Sequence, residues 1–163
     1  MARKVFFSFH YNNDLWKAIQ IRNNWIVRNE RQASGFAELT HFEQLRQDND
    51  DAVAKWIDEQ LQGTTVTVLL IGPYTANQEY IKYQLQRSYA RGNGMVGIYV
   101  HNMKDKNGIV DKKGSPQPGE IGKDRLNTPV HFNSNYKIYD WIEDDGYRNI
   151  AKWIEAAAQD AGK

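Results

Sequence analysis

Three polar stretches lie where apolar runs end: "SFHYNN" at 8–13, "GPYTANQ" at 72–78 and "HN" at 101–102. Their hydroxyl, amide and imidazole groups suit the holding of a polar ligand. Phe9, Tyr11, Phe42 and Tyr74 add rings able to stack on a base. In "TANQEYIKYQLQRS" (75–88) an uncharged amide, Gln84, sits beside the apolar stripe of a helix.

Other chemistries find little support. The chain has no GxGxxG after its first apolar run and no GxxxxGKS/T phosphate loop, which argues against a dinucleotide oxidoreductase or a P-loop ATPase. "RGNG" (91–94) precedes a strand and reads as a turn. His10, His41, His101 and His131 form no HExxH or other compact pair, so no metal is expected. His10 points from the first strand toward the presumed cleft, as a hydrogen-bonding group rather than a general base. No GxSxG elbow surrounds Ser8, which argues against a serine hydrolase. Without a dedicated phosphate loop, a flavin carrier is equally disfavoured. "EDDG" (143–146) reads as the cap of the final helix, through Asp144 or Asp145.

Composition narrows the partners. The 163 residues carry 21 basic and 20 acidic side chains, a net charge of +1, which gives a nucleic-acid backbone no basic field to bind. Lys104, Lys106, Lys112 and Lys113 are interrupted by acids and read as a solvated loop. Cysteine is absent, which excludes disulfides and thiolate chemistry and suits a reducing, cytoplasmic setting. No segment approaches the roughly 20 apolar residues of a membrane span.

The elements that must position these groups follow from periodicity. "KVFFSF" (4–9) and "TVTVLLIG" (65–72) are apolar on both faces, as in the centre of a parallel sheet. "GMVGIYVHN" (94–102) is another strand, "YKIYDW" (136–141) an edge strand, and "GFAEL" (35–39) a short second strand. Helices are expected from about 12 to 28, with Leu15, Ile19 and Ile26 facing the sheet, and at 50–61, 77–91 and 147–159. "THFEQLRQDND" (40–50) reads as a surface loop with partial helical character. Alternation of strand and helix implies an α/β domain with helices on both faces of a mainly parallel sheet. One domain, 1–163, is expected, with a loop-rich lid or flap at about 103–135. In such a sheet ligands bind beyond the carboxyl ends of the strands, where the three polar stretches converge.

"RKVFFSFHY", "RNNW", "DDAVAKWIDEQLQGTTVTVLLIG", "YIKYQLQRS", "GIYVHNMKD" and "YDWIEDDGYRNIAKWIEAA" together resemble the ThsB-like, TIR-like family of bacterial Thoeris antiphage defence. The resemblance implies a flavodoxin-like TIR fold. It also implies NAD as substrate, without metal or flavin, cleaved at the nicotinamide–ribose bond to a cyclic or modified ADP-ribose signal. The signal would activate a separate effector protein, and a homo-oligomer is a further expectation. Thr75 and Tyr80 match the family motif, whose glutamate falls on Gln84. Ser8, Phe9, His10 and Tyr11 are then expected to line the nucleotide cleft, with Asn23 reaching it from the first helix and Phe42 covering the ribose or base.

Glutamine keeps the length of glutamate but not its charge, so catalysis by this chain is expected to be impaired. Two origins stay open: a replaced glutamate, or a site turned to sensing or assembly. Glu79 lies five residues earlier, about 140° away around a helix; Glu38 and Glu43 belong to a stretch the sequence does not place. The rival reading is a non-enzymatic TIR-like module for nucleotide sensing or protein interaction.

Overall fold

The computed structural model describes residues 3–27, 30–37 and 39–163, the side chains of 39 and 40 excepted. Five strands form the central sheet: β1 (Arg3–Ser8), β2 (Arg31–Ser34), β3 (Val66–Ile71), β4 (Gly94–Tyr99) and β7 (Ile138–Asp140). Their order is β2-β1-β3-β4-β7, and every neighbouring pair is parallel. Counted along the chain this is the 2-1-3-4-5 order of flavodoxin-like folds, with its topological switch between β1 and β3. The expected α/β architecture is present.

Helices α1 (Tyr11–Trp25) and α6 (Gly146–Asp160) pack together. Helices α2 (Leu39–Asp48), α3 (Asp50–Leu61) and α4 (Glu79–Ala90) form a second connected layer. Strand β3 is buried at every position, which is why its sequence is a run of apolar residues rather than an alternation. Among the described residues no helix is long and apolar enough to cross a membrane.

Several local expectations change. The second strand is "RQAS", not "GFAEL": Gly35 has a φ of +91° and lies so close to β1 that a Cβ there would meet the Phe7 carbonyl at 2.3 Å. The chain turns at Gly35, and residue 38 of the expected strand lies outside the described residues. The stretch read as a surface loop is helix α2, fastened by the burial of Phe42. Helix α1 buries Tyr11, Asp14, Lys17, Ala18, Ile21 and Trp25, while Ile26 is 40% exposed. Its inner face therefore includes two charged residues that a hydropathy reading turns outward. Asp145 starts α6 without a side-chain cap; Asp144 instead accepts the Asp140 amide, at 2.7 Å.

The 103–135 region contains regular structure. An antiparallel hairpin of β5 (Glu120–Lys123) and β6 (Pro129–His131) leads into the short helix α5 (Phe132–Asn135). Ile121, Val130 and Phe132 join Ile81 and Leu85 of α4 in a second apolar cluster. Helix α4 is thus held between sheet and hairpin.

Candidate functional site

Ser8 ends β1, and the period-two alternation of a strand turns it toward α4. Its hydroxyl donates to Gln84 Oε1 at 2.5 Å, and both side chains are fully buried. Gln84 is held at its backbone too, because Ser88 Oγ bonds the Gln84 carbonyl at 2.7 Å and meets Thr67 Oγ1 of β3 at 2.7 Å. Gln84 Nε2 has no hydrogen-bond partner among the described residues. A buried donor left unmatched costs about 1–3 kcal/mol, so a ligand acceptor there would relieve a standing penalty.

One turn before Gln84 on α4, Tyr80 belongs to a cluster of rings. Phe9 stacks on Tyr11 at 4.5 Å between centroids, and Tyr11 stacks on Phe42 at 4.1 Å. Phe42 meets Tyr80 edge-on at 5.0 Å. The Tyr80 hydroxyl accepts from the Tyr11 amide at 3.1 Å and donates to the Phe9 carbonyl at 3.2 Å, stitching α4 to the β1–α1 junction. The Tyr11 hydroxyl donates to the Gly35 carbonyl. Burial pushes the Tyr80 phenol up to about 12 and raises that of Tyr11 as well, so both remain neutral donors near pH 7. On its outer side Tyr80 lines a groove of about 680 Å³ between α3 and α4, shared with Arg46, Lys82 and Tyr83.

Thr75 secures the turn out of β3, its hydroxyl accepting from the Gly72 amide at 2.8 Å. His10 caps α1, Nδ1 accepting from the Asn13 amide at 3.1 Å. Burial, then the Arg46 charge, lowers its pKa, which keeps that nitrogen available as an acceptor.

Ser8 and Gln84 thus form one contact, and Phe9, Tyr11 and Phe42 another that Tyr80 ties to α4, while His10 caps α1. Asn23 does not join them. It is exposed near the far end of α1, where Arg22 bonds its side chain. Twelve residues of helix, about 18 Å at 1.5 Å per residue, separate it from Tyr11. Glu79 is exposed on the first turn of α4; Glu43 pairs with Arg46 at 3.7 Å; Glu38 lies outside the described residues.

A charged cluster at the strand ends escaped the sequence reading. Asp14 is fully buried against Gly72, with Oδ2 unpartnered among the described residues and Oδ1 accepting from Asn13 Nδ2 at 2.8 Å. Lys17, 1% exposed, donates to Asp111 Oδ2 at 2.8 Å. Desolvation raises the Asp14 carboxyl to about 6. The signal was present in the spacing: Tyr11, Asp14, Ala18, Ile21 and Trp25 recur at intervals of three and four, the repeat of a helix face.

Sheet order and helix layers define a flavodoxin-like α/β domain. The sequence matches the family described as "Thoeris protein ThsB, TIR-like domain" over residues 6–105, more than half of its length. The chain belongs to that family. It is also 28% identical, over an alignment of 192 positions, to "Putative cyclic ADP-D-ribose synthase ThsB1" of Bacillus cereus (strain MSX-D12), with 94% of this chain and 100% of the relative covered. The family match includes Ser8, Phe42 and Gln84 and ends as the 103–135 region begins.

Proposed function

We propose that this chain is an NAD-processing member of the ThsB group in antiphage defence, and that Gln84 leaves it able to bind NAD but poor at cleaving it. The observation carrying this reading is the buried Ser8–Gln84 pair at the carboxyl end of β1, with the Gln84 amide nitrogen unmatched. The name of the Bacillus cereus relative supplies the substrate class.

In the reaction the bond between ribose C1′ and the nicotinamide nitrogen breaks, and its electron pair leaves with neutral nicotinamide. Positive charge thereby moves onto the ribose. A nucleophile then adds to C1′: water gives ADP-ribose, and a nitrogen of the same ADP-ribose gives a cyclic product. A carboxylate at position 84 would stabilise the developing cation, whereas an amide offers only a dipole. By analogy with the loss of one preorganised electrostatic contact, the difference is about 3–4 kcal/mol in the barrier. Ground-state binding, which relies on hydrogen bonds and stacking, suffers less. In this reading the protein works in the cytoplasm, its product activates a separate effector, and self-association accompanies activity.

Titration calorimetry tests the binding half. NAD is expected to bind this chain and Gln84→Glu with dissociation constants within about ten-fold of each other, equivalent to 1.4 kcal/mol. Absence of binding to this chain, when Gln84→Glu binds, contradicts it.

A second reading, a sensing or interaction module without turnover, draws on the complete burial of Ser8 and Gln84. As a sensing module it binds NAD and neither protein turns it over; as an interaction module neither protein binds NAD, while a protein partner is bound stably.

A further inference from the structure

Ser8 is the last residue of a strand buried over its final four positions, and its side chain has no exposure to solvent. A hydroxyl in that position can serve a ligand or another side chain. Here it is committed to the side chain, because its short bond runs to Gln84 Oε1. The backbone of the same residue is fixed by Ser88, whose hydroxyl reaches Thr67, and Asn93 Nδ2 in turn bonds Thr67 Oγ1 at 3.2 Å. Residue 84 is therefore gripped at both ends, and one terminal side-chain atom is left unmatched.

We propose that Ser8 is a positioning residue that acts through residue 84: its hydroxyl holds one terminal oxygen so that the other terminal atom faces the ligand. The inference rests on the functional reading above and changes Ser8 from a group lining the nucleotide cleft into one that orients the reacting side chain. A glutamate in the same rotamer would place one oxygen on the Ser8 hydroxyl and leave the second for the ribose. The donated hydrogen bond favours the ionised form, which is the form the cleavage requires.

The experiment uses the full chain carrying Gln84→Glu, alone and combined with Ser8→Ala or Ser8→Thr. The introduced carboxyl is titrated by carbon-13 NMR, a measurement that needs no turnover. Ser8→Ala is expected to raise its midpoint by about one pH unit, and Ser8→Thr, which keeps the hydroxyl, to restore it. Where Gln84→Glu cleaves NAD, Ser8→Ala is expected to lower kcat about ten-fold with KM changed less than two-fold. The acidic limb of the rate profile should move upward with the carboxyl.

An unchanged midpoint in folded Ser8→Ala overturns the proposal, and so does a fall in kcat that Ser8→Thr, equally folded, does not recover. If Gln84→Glu shows no cleavage at all, the functional reading fails while the titration still decides the role of Ser8. In the unchanged chain, Ser8→Ala should also shift the side-chain amide resonances of Gln84. Resonances that stay in place count against the bond, even where Ser8→Thr does not fold.

Discussion

At the scale of single residues, Gln84 and Asp14 are opposite cases. Gln84 was legible because an amide beside an apolar helical stripe is conspicuous, and the motif around it places it after β3. Its partner was not legible as a partner: Ser8 lies 76 residues away in the chain, and only the parallel pairing of β1 with β3 brings the two together. Asp14 was missed because a carboxylate is normally assigned to solvent. Its burial has a measurable consequence. The folded protein holds the Asp14 proton to about pH 6, whereas the unfolded chain releases it near 3.8. Between those values the native state binds more protons, so the Asp14 contribution to stability falls as pH rises from about 4 to 6 and stays low above. Asp14→Asn is expected to remove that decline, gaining up to about 3 kcal/mol over the parent above pH 6 and little below pH 4. Urea unfolding of both proteins from pH 4 to 8 checks this; curves that run parallel contradict it.

At the scale of elements, the strands β1, β3 and β4 were the most legible, because burial on both faces leaves an apolar signature that is hard to mistake. The expected helices at 50–61 and 77–91 correspond to α3 and α4, apart from an initial 3-10 turn at Thr75–Asn77. Strand β2 was displaced by four residues because its end depends on Gly35, whose close approach to Phe7 is a tertiary fact. Helix α2 was indistinct because few of its residues are apolar; among those described, Phe42 is buried and Leu45 packs partly against the core. Glycine at position 94 shows the same tertiary control. A Cβ there would lie 2.2 Å from the Ala157 carbonyl oxygen of α6. Backbone cannot yield as a flexible side chain can, so Gly94→Ala should push α6 from the sheet. The expected cost is about 1–3 kcal/mol, read as a lower urea midpoint; an unchanged midpoint would mean that the helix packs less closely than described.

At the scale of the whole molecule, one sheet carries two clusters of polar side chains at its carboxyl end. From the α4 side come Ser8, Gln84 and the neighbouring rings; from the α1 side come Asp14, Lys17 and the 103–119 segment. That segment is fastened by the Lys17–Asp111 pair and by the Asp111 amide donating to the His101 carbonyl at 2.8 Å. Gly114 is seated so closely on Gly72 that a Cβ would meet its carbonyl oxygen at 1.8 Å. The sequence marked this region as an insertion from its glycine, proline and charge. It did not reveal that the hairpin following it braces α4, since Ile121, Val130 and Phe132 are isolated apolar residues in a polar stretch. In the proposed reading, NAD meets the protein at the carboxyl end of β1, beside residue 84. In the function proposed above, the charge at that position separates binding from turnover.

Nicotinamide release is the direct measurement, made on this chain and on Gln84→Glu at equal concentration with saturating NAD. The carboxylate is expected to raise the rate about 10²–10³-fold, while this chain stays near background. Rapid release by the unchanged chain, or equal rates from the two proteins, would contradict the account.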